Sequence, residues 1–104
     1  VRMSPRARIA QENLQASQKR KFEWWILRLT EDVFAGDQIP TDGIPPALAT
    51  RSSLSRPPSN AWRFELPLAC RGIYTVQSHP GIGIVVLMLE TLSHKEYDRL
   101  FGYR

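Results

Sequence analysis

Cysteine is almost missing from this chain. Cys70 is the only one, which excludes an internal disulfide and any multi-cysteine metal site. A reducing, cytoplasmic setting is the expectation that goes with it. Long apolar runs are missing too. Nothing approaches the roughly 20 residues that cross a bilayer, and the N-terminal stretch has no signal-peptide core, so a soluble, non-exported protein without membrane contact is expected. Acidic residues are the minority, 10 against 14 lysines and arginines, which leaves a net charge of +4 and a pI near 9.7. That balance favours acidic partners, nucleic acid above all. With 104 residues there is room for one core, so a single domain over 1–104 is expected.

What is present centres on the last third of the chain. Ile82, Gly83, Ile84, Val85, Val86, Leu87, Met88 and Leu89 form a continuous apolar run, the pattern of a strand covered on both faces. This segment is expected to be the central strand. It leads through Glu90-Thr91-Leu92 into Ser93-His94-Lys95-Glu96-Tyr97-Asp98-Arg99, which brings an imidazole, an ammonium and a phenol to one end of a sheet. Ser93 and Glu96 have capping-box spacing, so a short C-terminal helix is predicted to start here. On that helix Tyr97, Leu100 and Phe101 share one face, and His94 and Asp98 share another.

Ahead of this, Val1 to Met3 reads either as an edge strand or as a tail. Ser4-Pro5 is an N-cap followed by a proline at the first helical position. Ile9, Ala10 and Leu14 give that first helix a thin apolar stripe. Phe22, Trp25, Ile26, Leu29 and Val33 then recur with a helical period, with Trp24, Leu27 and Phe34 on flanking faces and Gly36 as a C-terminal stop. The two segments, divided by Lys19-Arg20-Lys21, fit either a helical hairpin or one long bent helix. From 37 to 60 Pro40, Pro45, Pro46, Pro57 and Pro58 argue against a regular helix or a central strand and predict a long loop, made cationic by Arg51 and Arg56. Trp62, Phe64 and Leu66 alternate with Arg63 and Glu65 as a strand, Arg71 to Val76 makes the next, and His79-Pro80-Gly81 is the turn into the last. The predicted class is α+β: an N-terminal helical pair on one face of a small antiparallel meander, closed by a short helix.

Arg71-Gly72-Ile73-Tyr74-Thr75-Val76, the strand over Ile84 to Leu89, and Ser93-His94-Lys95-Glu96-Tyr97-Asp98-Arg99-Leu100 together resemble the C-terminal half of the RelE/ParE toxin superfamily. The His-x-Glu-Tyr-Asp core is similar to that of HigB-type members. The helical opening at Ser4-Pro5-Arg6-Ala7 fits the same order of elements. The resemblance implies a toxin of a type II toxin–antitoxin pair, held inactive by a cognate antitoxin and needing no metal or cofactor. In RelE and HigB branches the activity is cleavage of ribosome-bound messenger RNA; in the ParE branch the target is DNA gyrase.

Carried over by position, the resemblance implies Arg71, His94, Lys95 and Tyr97 as the catalytic set. Lys19, Arg20, Lys21, Arg51, Arg56 and Arg63 are candidate RNA contacts by charge, although Lys19-Arg20-Lys21 reads more readily as a solvated helix end than as a phosphate contact. The chain departs from the pattern in its short or absent first strand, its Pro-rich loop, and a strand at Trp62 to Leu66 with Arg63 as its only cation. The chemistry is consistent with the residues. An imidazole titrates near neutral pH and serves as acid or base, and arginine grips phosphate with two parallel donors. His79 and Cys70 read as structural. A homodimer and a non-catalytic RNA-binding or protein-binding module are the remaining expectations.

Overall fold

Ser4-Pro5 starts a helix in the computed structural model, which describes residues 1–52, 54 and 58–102. In α1 (Pro5–Glu12) the Ser4 Oγ accepts from the Ala7 N–H at 3.0 Å. The same hydroxyl donates to the Leu89 carbonyl at 2.8 Å, and the Ser4 N–H donates to the Met88 carbonyl at 2.8 Å. One cap therefore starts the helix and fastens it to the sheet. The second helix, α2 (Ala16–Glu31), is separate, and the division falls at Asn13 to Gln15. Lys19-Arg20-Lys21 lies inside α2, not between the helices. Lysine and arginine are good helix formers, and Gln18 Oε1 supplies an acceptor for the Gln15 N–H at 2.9 Å, so the helix extends back past them.

The sheet has five strands in the order β1-β5-β4-β3-β2, with β1 (Arg2–Met3), β2 (Asp37–Ile39), β3 (Ala61–Leu66), β4 (Cys70–His79) and β5 (Gly83–Leu92). The expected three-strand antiparallel meander is its centre, β3-β4-β5. Two short edges extend it: β1 lies parallel to β5 through Arg2↔Leu87 and Met3↔Met88, and β2 lies antiparallel to β3. The strand expected at the centre is thus second from one edge, and β4 takes the middle. Ile82 is outside β5, and Ile84 is 65% exposed, because both sit at the hairpin tip. Burial on both faces starts at Val85 and Val86 and, with Leu87 half-buried between, runs on from Met88 to Leu92.

The proline-rich segment is also more structured than its composition implies. It holds β2, a 3-10 turn at Thr41–Gly43 and a five-residue helix, α3 (Ala47–Arg51). Pro45 and Pro46 precede that helix, where a missing N–H does no harm. Gly36 is not the stop of α2, which ends at Glu31. It lies where a Cβ would be 2.7 Å from the Arg63 carbonyl oxygen, and its N–H donates to the Tyr74 hydroxyl at 3.1 Å.

Helices cover both faces of the sheet, where cover on one was expected. Phe22 and Leu29 from α2 and Ala7 from α1 pack on Phe64, Tyr74 and Met88. Leu48 from α3 and Tyr97 from α4 (His94–Phe101) pack on Ile73, Leu89 and Leu92. The alternation along β3 and β4 sorts these residues, with Phe64 and Tyr74 to one side and Ile73 to the other. No helix among the described residues is long and apolar enough to cross a membrane.

Candidate functional site

The predicted capping box forms. Glu96 N–H donates to Ser93 Oγ, and Ser93 N–H donates to Glu96 Oε1, both at 3.2 Å. α4 ends on Gly102, whose φ of 76° is the left-handed conformation glycine tolerates. This fixes His94 on the first turn of α4. Its Nε2 lies 3.1 Å from Asp98 Oδ2 one turn on, and more than half of its side chain remains exposed.

The strands bring a second set of groups to the same place. In the β3–β4 hairpin Glu65 stands directly opposite Arg71. A pocket of about 370 Å³ opens beside them, lined by Glu65, Leu66, Ala69, Cys70, Arg71 and His94. The Arg71 guanidinium lies 4.5 Å from the centre of the Tyr97 ring, a cation–π distance, and Arg63 Nη1 donates to the Tyr97 hydroxyl at 2.8 Å. Tyr97 itself is 1% exposed and stacks on Phe101 with ring centres 4.3 Å apart. It therefore positions the two arginines from beneath.

Of the four residues implied as catalytic, the structure joins Arg71 and His94 in the pocket and sets Tyr97 under it. Lys95 is exposed on α4 and does not line the pocket, since successive helical residues point about a quarter turn apart. The candidate RNA contacts divide. Arg63 is on the α4 side of the sheet. Lys19, Arg20 and Lys21 are on α2, across the sheet from it, and Lys21 Nζ sits 3.8 Å over the Trp24 ring. Arg51 Nε is 3.2 Å from the buried Glu90 Oε1. Arg56 lies outside the described residues. His79 Nε2 lies 3.3 Å from Gln77 Oε1 at the exposed end of β4, and Trp25 stacks on Phe64 while Trp24 stays half exposed.

A comparison with family models, curated proteins and solved structures finds no match for this chain.

Two acidic residues were missed by sequence reasoning. Glu65 reads there as the polar half of a strand alternation, and only the hairpin register sets it beside Arg71. Glu90 carried a signal: a carboxylate between Leu89 and Leu92 in an apolar run. It is 1% exposed, with Arg6 Nε at 2.9 Å and Arg51 Nε at 3.2 Å from the same oxygen. Burial pushes its carboxyl above the usual range, more than the two guanidiniums pull it down, and Glu96 adds to the rise. Cys70 lies 6% exposed beside the pocket, its thiol pushed up chiefly by burial, which disfavours the nucleophilic thiolate. Among the described residues no three His, Cys, Asp or Glu side chains come together as metal ligands do.

Proposed function

We propose that this chain is a RelE/HigB-like toxin, a metal-free endoribonuclease that cleaves ribosome-bound messenger RNA and is restrained in the cytoplasm by a cognate antitoxin. The observation that carries the reading is the pocket shared by Glu65, Arg71 and His94. Cleavage by the neighbouring 2′-hydroxyl needs a base, an acid and a cation, and these three side chains are one of each.

In this reading the Glu65 carboxylate takes the 2′-hydroxyl proton as the 2′-oxygen bonds to phosphorus. The His94 imidazolium gives its proton to the departing 5′-oxygen as the P–O5′ bond breaks. The products are a 2′,3′-cyclic phosphate and a free 5′-hydroxyl. Arg71, held over the Tyr97 ring, meets the charge that gathers on the non-bridging oxygens. Arg63, fixed by the Tyr97 hydroxyl, adds positive potential beside the strand. Lys95 contacts the RNA backbone from the exposed side of α4.

Primer extension on messenger RNA in a translating extract tests the reading. Codon-positioned cuts are expected with the wild-type chain and are lost in Arg71→Ala and His94→Ala. Intact messenger RNA accompanied by blocked DNA supercoiling overturns it in favour of a gyrase-directed toxin.

A further inference from the structure

A second and larger cleft adjoins the pocket of Glu65, Arg71 and His94. Its volume is about 510 Å³, within the range of small-molecule sites, and Cys70 borders both spaces. Neighbouring residues divide between them: Leu68 and Ser93 border the cleft, Ala69 and His94 the pocket. We propose that this cleft binds a guanine base, that of a nucleotide next to the phosphate that is cut. The RNA source of the base rests on the reading above.

The charges of the lining cancel. Glu90, its buried carboxylate, has Arg6 Nε at 2.9 Å and Arg51 Nε at 3.2 Å and is satisfied by them. With Glu96 counted, two carboxylates meet two guanidiniums. Such a lining suits a neutral ligand that both accepts and donates hydrogen bonds.

Two exposed groups are left to meet it. Arg6, on α1, holds Glu90 through Nε and keeps 49% of its side chain exposed, which leaves Nη donors to the cleft. Glu96, on α4, is exposed; its Oε1 accepts the Ser93 N–H, and its Oε2 accepts no hydrogen bond among the described residues. No ion pair joins Arg6 to Glu96 among the described residues, so each faces the cleft with hydrogen-bonding capacity to spare. Guanine offers the acceptors O6 and N7 to an arginine fork, and the donors N1–H and N2–H to a carboxylate. Adenine has an N6–H donor where guanine has O6, so Arg6 opposes it. Uracil presents a single acceptor and a single donor along that edge and makes the weaker pair.

The faces of a base need apolar cover. Ile9 and Leu68 are 62% and 64% exposed, and both border the cleft, one from α1 and one from the β3–β4 turn. Leu68 and Ala69 have φ values of 63° and 56°, a costly backbone for residues other than glycine, and this turn holds the Leu68 side chain at the mouth. Unstacked bases are gripped between side chains of this kind.

Titration of the isotope-labelled chain with GMP, AMP and UMP, followed by amide chemical shifts, tests the cleft without requiring cleavage. Saturable shifts are expected at Ile9, Leu68, Ser93 and Glu96, with GMP about tenfold tighter than AMP or UMP. Arg6→Lys keeps a cation beside Glu90 and loses the fork. Glu96→Gln keeps an acceptor for the Ser93 N–H and puts an amide donor in place of the second oxygen. Each is expected to weaken GMP about tenfold and to leave AMP unchanged. The absence of saturable shifts, equal affinity for the three nucleotides, or unchanged GMP affinity in both variants overturns the proposal.

Primer extension separates this site from the cleavage reading. Cuts beside guanosine that lose this preference in Glu96→Gln support both. Cuts in messenger RNA without a GMP preference in the titration overturn the guanine site and leave cleavage standing. A GMP preference with intact messenger RNA does the reverse.

Discussion

Arg63 Nη1 donates to the Tyr97 hydroxyl across 2.8 Å, and the Arg71 guanidinium lies 4.5 Å from the centre of the same ring. One buried phenol thus places two cations from neighbouring strands. Tyr97→Phe keeps the ring and deletes the acceptor, so a stability loss of about 1 kcal/mol is expected. Tyr97→Ala also removes the ring that stacks on Phe101 and is expected to lose about 3–5 kcal/mol. Urea unfolding of the two variants beside the wild type measures both.

Glu90 sets a pH dependence. Its carboxyl is raised above the ordinary range, first by burial and then by Glu96, with Arg51 and Arg6 opposing. Between the unfolded value and this raised one the folded chain binds more protons than the unfolded chain. Stability therefore falls as pH rises through that window and is level above it. Glu90→Gln removes the titrating group, so its contribution to the slope disappears. Urea midpoints taken at intervals from about pH 4 to pH 8 are the check, pH 4 lying near the ordinary carboxylate value.

The turn at Leu68 and Ala69 is a place where the chain can be made more stable. Both residues have left-handed φ, which asparagine and glycine adopt with less strain. The double substitution Leu68→Asn, Ala69→Gly is expected to gain about 1 kcal/mol, because Leu68 is 64% exposed and gives up little burial. Thermal melting of the variant decides it, and an unchanged or lower midpoint contradicts the strain argument.

Gly72 is needed for packing and not for its backbone angles. A Cβ there would collide with the far edge of the Phe64 ring, at Cζ, Cε1 and Cε2, and that ring is itself buried and packed near Phe22, Trp25 and Tyr74. Gly72→Ala is expected to destabilise by about 1–3 kcal/mol. Phe64→Leu in the same chain makes room, so the pair is expected to lose less than the sum of the single variants. A double-mutant cycle reads this coupling.

Much of this architecture is legible in the sequence because it is written locally. Ser4-Pro5, the Ser93/Glu96 box, the alternation at Trp62 to Leu66 and the His79-Pro80-Gly81 turn each act within a few residues, and each forms. What escapes depends on distant pairing. β1 exists because Arg2 and Met3 meet Leu87 and Met88, which no local signal encodes. α3 forms in a proline-rich stretch because Leu48 has a core to enter beside Ile73 and Leu92. The candidate site divides the same way. His94 is visible from its helix cap, whereas Glu65 joins Arg71 only through strand register. Glu90 was visible as an odd charge in an apolar run, but its partners on α1 and α3 were not.

In the proposed reading, Glu65 and His94 act as base and acid around a phosphate held by Arg71. The single-turnover rate of cleavage of ribosome-bound messenger RNA is the direct test. Rates lower by about 10²–10⁴-fold than wild type are predicted for Glu65→Gln and for His94→Gln. Cleavage at the wild-type rate by either variant contradicts this assignment.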